Sequence, residues 1–204
     1  MKKLIFIVAA LCGIILCSSK CDNDTPVLTN NEINVENTIS IDRQDVYLNH
    51  GEEYRWYETG IQLVNFLDED SDGAIELVVN VFQVIEQHDS TSFDTFVFKY
   101  QHTLEGTTSE AIHGFWIEDY PLNDEVIKVS FNEAFEKIQE VNYPKPHTRQ
   151  VVLRKQVGPV DANPQWIFGN LHSQLYVDAV TGDVTDKNPA FGGLNLGTPL
   201  GEWP

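Results

Sequence analysis

A chain of 204 residues, 42% of them hydrophobic and 22% charged, can build a packed core without covalent staples. Its 13 Lys and Arg stand against 31 Asp and Glu, a formal net charge of −18, which excludes charge-driven binding to nucleic-acid phosphates or anionic lipid headgroups. All three cysteines, Cys12, Cys17 and Cys21, lie within the first 21 residues, so a disulfide framework in the body of the chain is excluded as well.

The N-terminus reads as a targeting segment. Lys2 and Lys3 precede LIFIVAALCGIIL at residues 4–16, a thirteen-residue apolar run. That length suits the hydrophobic region of a signal peptide and falls short of the roughly 20 residues of a membrane span. Cys21 follows where the chain turns polar. The segment Cys21-Asp22-Asn23-Asp24 resembles the start of mature lipoproteins of Gram-negative bacteria, although Lys20 stands where those proteins usually carry Gly, Ala or Ser. The resemblance implies cleavage before Cys21, lipid on that cysteine and a place in the cell envelope. There the protein would be an outer-membrane lipoprotein, surface-exposed or facing the periplasm. Residues 1–20 are then a signal peptide. Loss of Lys2, Lys3 and Lys20 takes the net charge from −18 to −21. Residues 21–38, polar and Asn-rich without periodicity, read as a flexible tether.

Residues 39–120 read as β-rich. Residues 60–67 (GIQLVNFL) are apolar and β-branched. Residues 74–86 (AIELVVNVFQVIE) form a longer run whose alternation breaks near Phe82, the mark of a bulge or bend. Residues 93–104 place Phe96, Phe98, Tyr100, His102 and Leu104 on one face. The polar stretch 88–92 between these runs predicts an antiparallel hairpin. A short strand is expected at 114–118 (GFWIE).

One helix stands out. Ser130 and Glu133 have the spacing of a capping box. Phe131, Ala134, Phe135, Ile138 and Val141 then recur at helical intervals, and Pro144 and Pro146 end the run. Strand-like runs follow at 149–157, 165–168 and 174–179, separated by Gly158-Pro159, Gly169-Asn170 and Thr181-Gly182-Asp183. Residues 188–204, rich in Gly and Pro, read as an irregular tail.

The stretch 130–184 resembles the PepSY and PepSY-like domains of secreted bacterial proteins. Their helix opens with a Ser-x-x-Glu-Ala type start, here Ser130-Phe131-Asn132-Glu133-Ala134. Their sheet ends in a YVDA-TG-V motif, here Tyr176-Val177-Asp178-Ala179 with Thr181-Gly182 and Val184. The resemblance implies a non-catalytic role through protein contacts: inhibiting or chaperoning peptidases, or binding at the envelope. Tyr176, Asp178 and Gly182 match the motif and read as structural, with Gly182 supplying a positive φ in the turn. No matching helix opening is legible in 39–120, so a second copy there stays undecided.

Asp68-Glu69-Asp70-Ser71-Asp72-Gly73 has the D-x-D-x-D-G start of a calcium loop. Asp68, Asp70, Asp72 and Glu76 would be the Ca²⁺ ligands. Val79 stands where an EF-hand has its bidentate Glu, and strands flank the motif where an EF-hand has helices. A solvated acidic turn is the other reading. Trp56, Trp116, Trp166 and Trp203 could line a sugar or peptide groove, or pack in a core. The six histidines show no H-x-x-H spacing, and no G-x-S-x-G, P-loop or dinucleotide motif is present. No catalytic residue is assigned.

The expected fold is α+β, a predominantly antiparallel sheet with one amphipathic helix at about 130–142 packed on the C-terminal strands. Residues 121–187 form the PepSY-like helix with three strands. The expected function is that of a non-enzymatic, lipid-anchored envelope protein that meets a protein partner, touches the membrane through its lipid and needs no cofactor. The alternative is a surface ligand-binding module for calcium or a glycan.

Overall fold

The computed structural model describes residues 32–87, 92–116, 119–170 and 172–193. Cys21, residues 22–31 of the expected tether, the turn at 88–91 and Trp203 lie outside the described residues. Among the described residues, no helix is long and apolar enough to cross a membrane.

The architecture is α+β, as expected. Among the described residues, one antiparallel sheet of nine strands carries two α-helices. In chain order these are α1 (Val35–His50), β1 (Tyr54–Leu63), β2 (Ile75–Gln87), β3 (Phe93–Thr103), β4 (Gly106–His113), β5 (Asp119–Tyr120), α2 (Phe131–Glu140), β6 (Gln150–Gln156), β7 (Gln165–Asn170), β8 (Ser173–Asp178) and β9 (Val184–Thr185). The spatial order is β4-β3-β2-β1-β6-β7-β8-β9, with β5 added to β6. Each helix is therefore followed by a meander that runs outward from a central β1–β6 seam. There Glu58 lies opposite Arg154 and Gln62 opposite Gln150. The two units share one hydrophobic core, which joins Val35, Ile39 and Val46 of α1 to Phe131, Phe135 and Ile138 of α2 through Trp56, Phe82, Trp166 and Phe168.

The helix read from the sequence is α2. Its capping box is complete. The Ser130 hydroxyl accepts from the Glu133 N–H at 3.3 Å, and the Ser130 N–H donates to Glu133 Oε2 at 2.8 Å. Phe131, Ala134, Phe135 and Ile138 are buried, and each large side chain among them contributes about 1.5–3 kcal/mol through burial. Lys145 donates to the Val141 carbonyl at 3.0 Å and to that of Ile138, closing the C-terminal end.

The helix α1 corrects the sequence reading, which ran a tether to residue 38 and strands from 39. Asn34 caps it by accepting the Asn37 N–H at 2.7 Å. Its buried stripe is Val35, Thr38, Ile39, Asp42 and Val46. The first four repeat the spacing of Phe131, Ala134, Phe135 and Ile138, again directly after the cap. Two of the four are polar, which hides the period from a search for apolar residues.

Two strand expectations change. Residues 114–116 are irregular, and the strand in this region is β4, whose eight residues are all exposed. The bulge near Phe82 belongs to β1 rather than β2. Trp56 pairs with Phe82 and Glu58 with Val81, leaving Tyr57 as the extra residue. The alternation in β2 breaks because both faces are covered there: Val81 and Gln83 are buried along with Phe82 and Val84. The same holds for β8, where Tyr176 and Val177 point to opposite faces and are both buried.

Packing at α2 sets the first expected outcome. Phe135 lies between Phe131 and Phe168, with ring centroids 6.1 and 6.5 Å away. Phe135→Ala should cost about 3–5 kcal/mol, whereas exposed Glu136→Ala should stay within about 0.5 kcal/mol. Gly182 has φ +78°, so Gly182→Val should cost about 1–3 kcal/mol in backbone strain. Urea midpoints across the three variants check this order. A second outcome concerns pH. The Ser130 backbone N–H and hydroxyl hold the Glu133 carboxylate below the ordinary glutamate range. A lowered folded value stabilises the protein above that range, about 4.3, and the gain fades as pH falls through the folded value. Parent and Glu133→Gln should therefore differ in urea midpoint at neutral pH and converge in acid.

Candidate functional site

Two polar features stand out on the helix-bearing face of the sheet. The first is buried under α1. Asp42 is 1% exposed, Asn80 and Thr59 are fully buried, and His102 is 7% exposed. Asn80 Nδ2 donates to Asp42 Oδ2 at 2.7 Å and to the Thr38 hydroxyl at 3.2 Å. The Thr59 hydroxyl donates to Asn80 Oδ1 at 2.6 Å, and Trp56 Nε1 donates to the Thr59 hydroxyl at 3.2 Å. His102 Nε2 lies 2.8 Å from Asp42 Oδ2 and 3.0 Å from Oδ1, while its Nδ1 lies 2.9 Å from the Thr107 hydroxyl. An ionised carboxylate only accepts, so Nε2 carries the proton it shares. In the neutral ring, Nδ1 then accepts from Thr107. Beside this network the Tyr100 hydroxyl donates to Asp45 Oδ2 at 2.8 Å. Burial and the two neighbouring acids push the Tyr100 phenol far up.

A hydroxyl, an imidazole and a carboxylate in series are also the parts of a nucleophilic triad. Here Asp42 holds both Asn80 and His102, and Thr107 sits on exposed β4. These hydrogen bonds tie α1 to β2 and β3 and give each buried polar group named above a partner.

The second feature is a groove of about 830 Å³ bounded by the start of α1, by α2 and by the segment 64–75. Its floor is apolar, formed by Ile33, Phe131 and Phe135 with Val64, Ile75 and Leu104 at its margins. Glu32, Glu36, Asp72, Glu136 and Glu140 line it, and among the described residues no Lys, Arg or His does. Glu36 Oε1 accepts the Phe131 N–H at 2.8 Å, tying the openings of the two helices together.

The end of the acidic motif, Asp72 and Gly73, lines one wall. Gly73 has φ +80°, and a Cβ there would stand 3.2 Å from the Phe135 ring. The glycine thus serves the turn and the close approach to α2. Asp72 Oδ1 accepts the Ala74 N–H at 3.0 Å. Asp68 pairs with His147 Nδ1 at 2.9 Å, and Glu76 pairs with Arg149. Asp70 is exposed. Three of the four carboxylates expected to share Ca²⁺, Asp68, Asp72 and Glu76, thus have separate partners. Among the described residues, no group of three or more His, Cys, Asp or Glu is placed to hold a metal ion.

The Tyr176-Val177-Asp178-Ala179 segment at the end of β8 anchors the turn that follows. Asp178 Oδ1 accepts the N–H groups of Val180 and Thr181 at 2.8 and 3.0 Å, and Gly182 N–H donates to the Asp178 carbonyl at 2.8 Å. Tyr176 is buried on the sheet face away from the helices. Trp56 and Trp166 are core residues, 5% and 1% exposed. Trp166 Nε1 donates to the Val129 carbonyl at 2.9 Å.

Sequence reasoning placed His102 on the correct face of β3 but missed its partners. Asp42 and Asn80 lie 60 and 22 positions upstream, and a lone Asp on a helix carries no local signal of burial. Comparison with protein-family models, with curated proteins and with solved structures finds no match.

The network gives a third outcome. Asp42→Ala leaves Asn80 Nδ2 and His102 Nε2 without their buried acceptor, at about 1–3 kcal/mol for each bare donor. The urea midpoint should drop accordingly, and amide exchange in α1 should accelerate before exchange in α2.

Proposed function

We propose that this chain is a non-enzymatic, lipid-anchored protein of the bacterial envelope that acts through protein contacts, with two PepSY-like units placed side by side. The observation that carries the reading is the repeated plan of a capped helix followed by an antiparallel meander. It occurs once with the Ser130-x-x-Glu133-Ala134 opening and once from Asn34, with the same spacing of buried helix residues. The terminal hairpin of the second unit, held by Asp178 and Gly182, adds to the resemblance.

A non-catalytic role is supported by the use of the polar core. Asp42, Asn80 and His102 hold α1 in place, with the Asp42 carboxylate shared between the imidazole and the Asn80 amide. Acyl chains on Cys21 would supply the membrane affinity that an acidic body lacks. Inhibition or modulation of a peptidase is the role the PepSY resemblance implies.

Two measurements test this. Cys21→Ala should shift the protein from the membrane to the soluble fraction or leave its precursor uncut, and unchanged fractionation with normal processing refutes the anchor. Cross-linking in the native envelope should recover one protein partner in fixed ratio to this chain. Recovery of the uncomplexed protein alone, with no effect of the purified protein on envelope peptidase activity, defeats the contact reading.

A further inference from the structure

We propose that the groove between α1, α2 and the segment 64–75 is a docking site for a cationic amphipathic segment of a partner protein. The inference rests on the protein-contact reading and names the chemistry of the partner. Two properties of the groove select that occupant. Leu104 is 64% and Val64 48% exposed at its margins, so apolar surface stands open to water beside the buried rings of Phe131 and Phe135. Burying such side chains is favourable and independent of sequence detail. The rim adds direction. Five carboxylates and no cation among the described lining residues give a field of one sign over an apolar floor, which draws Lys and Arg to the edge while their neighbours bury apolar side chains.

The charge also argues against other occupants. A second copy of a chain with net charge −18 brings another acidic surface to the same rim. The chain's own residues 22–31, which join the described residues at the groove, contain Asp22 and Asp24 and no Lys or Arg. An anionic lipid surface is repelled for the same reason.

The test uses the full-length protein in detergent and three fluorescent 14-residue peptides: Leu/Lys, Leu/Glu and Ser/Lys in one amphipathic pattern. Anisotropy should show saturable binding of the Leu/Lys peptide, at least tenfold tighter than of the other two and weakened by salt. Glu136→Lys with Glu140→Lys should weaken it at least tenfold, and so should Leu104→Asp. Glu52→Lys with Glu53→Lys makes the same change of net charge at the far end of α1, about 24 Å along the helix, and should weaken it less than threefold. Thermal melts confirm that each variant is folded. Equal loss in both charge variants, or equal binding of Ser/Lys and Leu/Lys, would reduce the effect to bulk charge and overturn the proposal. The native partner offers an independent arm. If parent and Glu136→Lys/Glu140→Lys recover it equally, the groove is wrong and the contact reading stands. If no partner is recovered but the Leu/Lys peptide binds selectively, the docking site stands without that reading.

Discussion

The β1–β6 ladder sets the geometry of everything built around it. It pairs the first strand of each unit antiparallel, so the meanders grow in opposite directions along one sheet. Exchange of the units across such a seam keeps both helices on the same face. A single hydrophobic core then serves both units, and Trp56, Leu153 and Trp166 meet beneath the helices. The edges differ as well. The sheet ends in β9, two residues long, on one side and in the exposed eight-residue β4 on the other.

The two helices solve the same docking problem by different chemistry. In α2, Ala134 and Ile138 complete an apolar stripe, and burial supplies the free energy without directional constraint. In α1 the equivalent positions are Thr38 and Asp42, which engage Asn80 and His102. A buried carboxylate is stabilising only when its partners are in place, and an apolar replacement of similar volume is often no worse. What the polar solution adds is a fixed position. Asn80 and His102 lie on neighbouring strands, and one carboxylate reaches both only when α1 sits at a single height and rotation over β2 and β3. The apolar stripe of α2 has no such pin, but Glu36 supplies one from outside by accepting the Phe131 N–H. The position of the second helix is thereby referred to the first.

This difference also decides what could be read in the sequence. The helix α2 was legible to within two residues, because its cap, its period and its terminating prolines agree. The hairpin of β2 and β3 was legible from two apolar, aromatic-rich runs separated by a polar stretch. The helix α1 was not, since its pattern appears only when Thr38 and Asp42 are counted as buried, and nothing local says they are. Strand β4, GTTSEAIH, carries no apolar alternation because neither of its faces is covered, while the aromatic stretch after it suggested a strand whose described residues, 114–116, are irregular. The bulge was sensed near Phe82 but assigned to the wrong chain segment: a strand buried on both faces loses its period just as a bulged one does. The acidic motif at 68–73 was visible, whereas its structural role was not. That role depends on Phe135, 62 positions beyond Gly73, and on His147 and Arg149, which pair with Asp68 and with the nearby Glu76.

The groove follows from the same arrangement. Because Glu36 joins the openings of α1 and α2, two helix N-termini converge near one end of it. The partial positive charge of each N-terminus favours nearby carboxylates, which accounts for Glu36 in the first turn of α1 and Glu133 in that of α2. Asp72, Glu136 and Glu140 have no such compensation. Glu136 and Glu140 lie one turn apart on α2, where like charges at this spacing oppose the helix by a few tenths of a kcal/mol. Their repulsion raises the free energy of the empty groove and would be relieved by a cation at the rim. Beside them, exposed Leu104 and Val64 carry the cost of apolar surface in water. A partner that brings positive charge and apolar side chains together removes both penalties in one step.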